Sequence, residues 1–276
     1  VALALVFLSL DVAAQPTATS SLPTVPLERF APAARDDIAP AYEQARSRSD
    51  DGEAVGALAM RLQAWDQFEM AAAMYARAQA LAPDAVEWWY LGGLTAQQQA
   101  LWRDAVRQFE RAARLAPDTP LITLRLADSR LAAGDIDGAR TLYRALTSVP
   151  ACAASAWYGL GRVLVVDKAH GEARAAFEQA LALSPEFGAA HYALAQLQRQ
   201  SGDVEAARLS LLRQQRCMAC WPMPPDPWRE QVAVLRTDAA ALLTRGIDTA
   251  SAGTAAGQRR GDTPARAGAG GGGDAR

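Results

Sequence analysis

The stretch AWYGLGRVLVVDKAHGEARAAFEQALALSP, residues 156–185, decides how this chain reads. Trp157 is followed by Leu160 and Gly161, then by Ala173, Phe177, Ala180 and Pro185. Ala173 and Phe177 stand four apart, so on a helix they share one face. The small residue lets a neighbouring helix come close, and the ring fills the gap beside it. Pro185 cannot continue a helix and closes the unit. The unit recurs. Ala71, Ala105, Ala139, Ala173 and Ala207 are spaced by 34 residues, and Tyr75, Phe109, Tyr143, Phe177 and Leu211 follow them by four. Pro83 and Pro117 are also 34 apart, and Pro185 lies 68 beyond Pro117. A fixed period of this length marks stacked helical pairs, each burying its face against its neighbours.

Trp157-x2-Leu160-Gly161, Ala173-x3-Phe177 and Pro185 match the W-x2-L-G … A-x3-F … P signature. Over residues 52–216 the chain therefore resembles the tetratricopeptide repeat family, and it is similar to the members of that family found in bacterial envelopes. The resemblance implies an all-α, right-handed solenoid of five helix-turn-helix repeats with helical caps. It implies a scaffold rather than one particular activity.

The repeats are expected in order. Repeat one covers 52–85, with Ala59 in the small-residue slot and Trp65 in the turn, capping the packing of its two helices. Repeat two covers 86–119. Trp88, Leu91 and Gly92 fit its opening one residue early, which asks the turn near residues 98–102 to absorb an extra residue. Repeat three covers 120–150, with Leu126 and Ala127 in the Leu-Gly slots and a Gly134-Asp135 turn. Repeat five starts at Gly188, puts His191 in the Trp slot and replaces the aromatic with Leu211.

Outside the repeats the composition changes. Residues 1–14 join a ten-residue apolar run to small residues at Val12-Ala13-Ala14, as a signal peptide does, though without a basic start. The run is shorter than a membrane span requires. Residues 15–51 read as a linker and an N-terminal capping helix, with Ile38, Ala41, Tyr42 and Ala45 on one face. Residues 217–228, CMACWPMPPDPW, are a Cys- and Pro-rich break. Residues 229–250 regain helical character and read as part of a sixth repeat acting as a C-terminal cap. The Gly-rich residues 251–276 read as a disordered tail.

The chain of 276 residues has a formal net charge of −2 and is 50% hydrophobic. It lacks the basic balance of a nucleic-acid binder. Cys217 and Cys220 form its only C-x2-C. Zinc needs four ligands, and Cys152, His170 and His191 fall on other parts of the repeats. A haem attachment site would need His where Trp221 stands. A local disulfide between Cys217 and Cys220 is the plain expectation, with Cys152 left over. A redox or metal carrier built on that pair is the alternative. There is no HExxH, P-loop or nucleophile-base pattern, so no catalytic residue, cofactor or metal is expected.

What remains is surface. In the family that the chain resembles, the first helices of successive repeats line a groove that takes a partner segment. Carried over by position, that groove comprises Trp89 and Gln97 in repeat two, and Asp128 and Leu131 in repeat three. Repeat four adds Tyr158, Arg162 and Val165, and repeat five adds Tyr192, Gln196 and Arg199. Aromatic anchors with Arg and Gln suit a peptide or protein partner. The expected function is a non-enzymatic interaction scaffold, exported to the periplasm. An accessory subunit that assembles an enzyme complex stays open beside it.

Overall fold

The computed structural model describes residues 22–218 and 220–236. Among them the secondary structure is helical throughout. Helix α1 (Pro32–Ser47) precedes five antiparallel pairs: α2 (Gly52–Ala64) with α3 (Phe68–Leu81), α4 (Val86–Gln98) with α5 (Trp102–Leu115), α6 (Pro120–Ala133) with α7 (Ile136–Leu146), α8 (Ala153–Val166) with α9 (His170–Leu183), and α10 (Gly188–Gln200) with α11 (Val204–Arg216). A short α12 (Pro227–Ala233) ends the described chain. From α1 to α11 each helix packs on the next in sequence, in a right-handed solenoid of five repeats.

The turn inside every pair has the same construction. Asp66, Ala100, Gly134, Lys168 and Gly202, again 34 apart, all have φ between 56° and 88°. The amide that follows each one reaches back five residues: Gln67 to Leu62, Leu101 to Ala96, Asp135 to Arg130, Ala169 to Leu164 and Asp203 to Gln198, at 2.8–2.9 Å. This is the Schellman closure of a helix, and it leads straight into the second helix. Asp135 and Asp203 then cap α7 and α11, accepting from the amides of Gly138 and Ala206.

The shared geometry corrects the expected register of repeat two. Its turn holds no extra residue. The slot for a small residue is Gly93, which lies under the Phe109 ring as Gly161 lies under Phe177. A Cβ at either position would clash with the ring. It follows that Trp89, not Trp88, is the counterpart of Trp157. Trp88 instead lies over Gly56 and stacks on Tyr75, with ring centroids 6.4 Å apart.

The core is a line of identical contacts. The repeated alanines and the rings four residues on are buried in the first four repeats. Two of the four rings are Tyr, and each hydroxyl finds an acceptor on the first helix of its own pair: Tyr75 donates to Gln63 and Tyr143 to Asp128, each at 2.6 Å. Burying either hydroxyl without a partner would cost a few kcal/mol.

Helix α1 seals the first pair with Ile38, Ala41 and Ala45. Tyr42 is only partly buried. The Trp65 indole N–H donates to Asp37 of α1 at 2.8 Å. Trp65 thus joins the capping helix to repeat one, besides sitting at the end of α2. Helix α12 does not continue the stack behind α11; it packs on α2 and α4. The expected sixth-repeat helix beyond residue 236, the signal peptide and the Gly-rich tail lie outside the described residues.

Candidate peptide-binding groove

The groove is the face made by the first helices α2, α4, α6, α8 and α10. The repeat period puts Tyr90, Tyr158 and Tyr192 at one level of it, on α4, α8 and α10. Trp89 is one residue off this level. Its indole N–H donates to the Pro83 carbonyl at 2.9 Å and its ring lies under the Arg111 guanidinium of α5. It buttresses the turn between repeats one and two and does not line the groove. Tyr90 takes the place expected of it.

Part of the groove is already filled. After α11 the chain makes a loop closed by a disulfide between Cys217 and Cys220. It then returns along the first helices toward α2. The Cys220 carbonyl accepts from the Gly188 amide at the start of α10, at 3.2 Å. Trp221 meets Tyr158 and Phe187 edge-on, with centroids 5.1 and 5.0 Å away. The Pro222 carbonyl accepts from the Ser155 hydroxyl at 2.6 Å. Met223 bridges the apolar clusters of the N-terminal and central repeats. Trp228 tilts over Tyr90 at 4.7 Å, and Val232 is buried in the same core as Val55 and Leu58 of α2.

Asp226 is the polar centre of this contact. One carboxylate oxygen caps α12, accepting from the Arg229 amide at 3.0 Å. The other accepts from the Tyr90 hydroxyl at 2.5 Å and from Arg125 of α6 at 3.3 Å. Asp226 is 8% exposed, and a buried carboxylate persists only when paired and hydrogen-bonded. Burial pushes the Tyr90 phenol well up; the Arg125 charge opposes this, and the bond to Asp226 adds to it. Tyr90 is therefore a proton donor at any ordinary pH.

The remaining groove residues form a second, less covered set. Asp128 accepts from Tyr143 and lies 3.6 Å from Arg162, whose guanidinium also sits over the Tyr158 ring. Burial raises the Asp128 carboxyl above its ordinary value; Tyr143, Arg162 and Arg125 pull the other way without cancelling it. Gln97 donates to Ser129 at 2.9 Å and ties α4 to α6. Leu131 is buried. Tyr192 is 51% exposed, Val165 is 38% exposed, Arg199 is exposed and Gln196 is half-buried. The structure thus brings Asp128, Tyr158 and Arg162 together and leaves Tyr192, Gln196 and Arg199 open at the far end.

Sequence reasoning missed Ser155, Tyr90, Arg125 and the whole segment that seats on them. A signal existed. Tyr90, Tyr158 and Tyr192 share the 34-residue period, and Asp226-Pro227 before Trp228 is a helix start. Cys152 is buried, and burial raises its thiol above the ordinary value. His191 is buried, with Nε2 2.8 Å from the Pro185 carbonyl. His191 lines a partly open pocket of about 410 Å³ between α9, α10 and α11.

Residues 90–153 and 124–185 match one tetratricopeptide-repeat family model, and residues 164–215 match a second. With the packing above, these show tetratricopeptide repeats over residues 90–215. No curated protein sequence matches it. Among solved structures it is similar to residues 41 to the end of MamA from Desulfovibrio magneticus RS-1, at 18% identity, a TM-score of 0.53, and coverage of 60% of this chain and 94% of that one. It is similar to YrrB, a TPR protein with an unusual peptide-binding site, at 18% identity and a TM-score of 0.50, covering 63% of this chain and 90% of that one. PilF of Pseudomonas aeruginosa superimposes at 13% identity and a TM-score of 0.52, with 68% of this chain and 82% of that one covered. At these identities the likeness is one of fold. Among the described residues no helix is long and apolar enough to cross a membrane.

Proposed function

We propose that this protein is a non-enzymatic scaffold that binds a segment of a protein partner in the groove of its first helices. One observation carries the reading: the groove already seats a Pro-rich segment, through aromatic rings, carbonyl acceptors and one carboxylate. A surface that satisfies a segment of its own chain in this way has the chemistry to satisfy another. The peptide-binding site of YrrB is consistent with it. The open end, with Tyr192, Gln196 and Arg199, supplies an exposed ring and polar donors for first contact.

The apolar run and small residues at 1–14 support export to the cell envelope, in the periplasm. Affinity capture from an envelope extract tests the partner reading. Tyr192→Ala with Arg199→Ala removes exposed side chains and should leave the fold intact, while cutting recovery of the partner several-fold. Unchanged recovery counts against a groove-bound partner. Fusing residues 1–20 to a reporter active only after export tests the location, and an inactive fusion counts against it.

A further inference from the structure

We infer that residues 220–235 are a built-in competitor: a partner enters the groove by displacing them, with a segment of the same chemistry. This rests on the reading of the groove as a peptide site and names the kind of peptide. The partner segment is rich in proline, carries a carboxylate, and flanks it with two aromatic side chains.

The contacts define those requirements one by one. Pro222, Pro224, Pro225 and Pro227 keep the segment without regular structure from Cys220 to Asp226. Such a segment has few amides to satisfy and little freedom to lose on binding. The groove accordingly supplies donors to its carbonyls, from Ser155 to Pro222 and from Gly188 to Cys220. Trp221 and Trp228, seven residues apart, find Tyr158 and Tyr90, which belong to repeats four and two. Between them Asp226 meets Tyr90 and Arg125. Arg125 has no counterpart of like charge in the other four repeats, where Ala57, Leu91, Gly159 and Ala193 stand. The carboxylate position is therefore specified at a single place in the array.

Other features mark the segment as separable from the solenoid. It is not part of the 34-residue period. It is joined to α11 through the small Cys217–Cys220 loop. Trp221 remains 42% exposed, and Trp228 is not fully buried. Tethering so short gives the segment an effective concentration on the order of 1 mM. If its intrinsic Kd is about 0.1 mM, it hides the groove about tenfold from a partner in solution.

A labelled peptide of residues 221–235 is the probe. It is titrated by fluorescence anisotropy into the full chain and into the full chain carrying Asp226→Ala and Trp228→Ala. The variant is expected to bind at least tenfold more tightly than the unaltered chain. The same peptide with its own Asp226 and Trp228 replaced by Ala should lose that binding. Equal binding to both chains, or binding to neither, overturns the proposal. Hydrogen exchange on the unaltered chain gives a reading that does not depend on a variant's folding. Amides 229–234 should exchange through an opening that leaves α4 and α6 protected; exchange of all three in one step overturns displacement. Neither result alters the capture experiment at Tyr192 and Arg199, so the two readings fail separately.

Discussion

Tyr90 and Tyr192 occupy the same place in repeats two and five, yet their surroundings differ completely. Tyr90 is buried under Trp228, touches Phe109 and donates to Asp226. Tyr192 is half exposed at the open end of the groove. The repeat therefore sets which way a side chain points, and a segment outside the repeat sets what it meets. In a solenoid each unit contacts only its neighbours, so a ligand on the first helices is the way for distant repeats to share one event. Here one segment touches α10, α8, α6, α4 and α2 in turn.

The sharpest test of that contrast is to truncate both rings. Tyr90→Ala should lower stability by about 3–5 kcal/mol, as for other buried aromatics. Tyr192→Ala should stay within about 0.5 kcal/mol. Urea denaturation measures both, and equal losses would break the comparison. A smaller effect separates repeat packing from groove contact. Ala173→Leu should cost about 1–3 kcal/mol, because α8 and α9 meet over a residue with no room to grow. It should leave the Trp228 contact with Tyr90 unchanged.

The centre of the groove carries a pH dependence of defined sign. Asp128 has its carboxyl raised above its ordinary 3.8 by burial. The folded state then holds the proton more tightly than the unfolded chain does. Lowering the pH through the raised value toward 3.8 adds stability, and the gain is lost as pH rises again. Asp128→Asn removes that contribution. The melting temperature of the unaltered chain minus that of the variant should grow between about pH 7 and about pH 4. A constant difference would contradict the assigned cause.

A small effect of opposite sign comes from the turns. Ala100 adopts the left-handed conformation that Gly134 and Gly202 adopt freely. Ala100→Gly should raise stability by about 0.5–1 kcal/mol, the steric relief less the entropy cost of glycine. A loss in thermal denaturation would mean the turn is not strained as its φ indicates.

Most of the solenoid was legible because its contacts are local and periodic. The alanines, the rings four residues on and the prolines at 83, 117 and 185 recur with the period, so one well-formed unit located the rest; the turn position, held by Asp66, Ala100, Gly134, Lys168 and Gly202, recurs in conformation and not in residue type. Repeat two was misread because WWYLGGL contains two tryptophans and two glycines in succession. Trp88, Leu91 and Gly92 fit W-x2-L-G, whereas Trp89 with Gly93 has Gly92 in the Leu slot, and only the three-dimensional contact of Gly93 with Phe109 shows that the second register is the one used. The groove was half legible for the same reason. Arg162, Tyr158 and Asp128 follow from repeat position and do come together. The partners of Tyr90 could not be read that way. Asp226 lies 136 residues further on, in a segment with no period, and no local pattern links it to α4. Trp65 was a similar case, since its bond to Asp37 joins a capping helix to a repeat.

On this proposal the first-helix face is a segment-binding groove occupied by the chain's own residues 220–235. Nuclear Overhauser contacts between the Trp228 indole and the Tyr90 ring, in the full chain in solution, test it most directly. Both this contact and one from Trp221 to Tyr158 are expected. A folded array in which both indoles show only solvent contacts would contradict it.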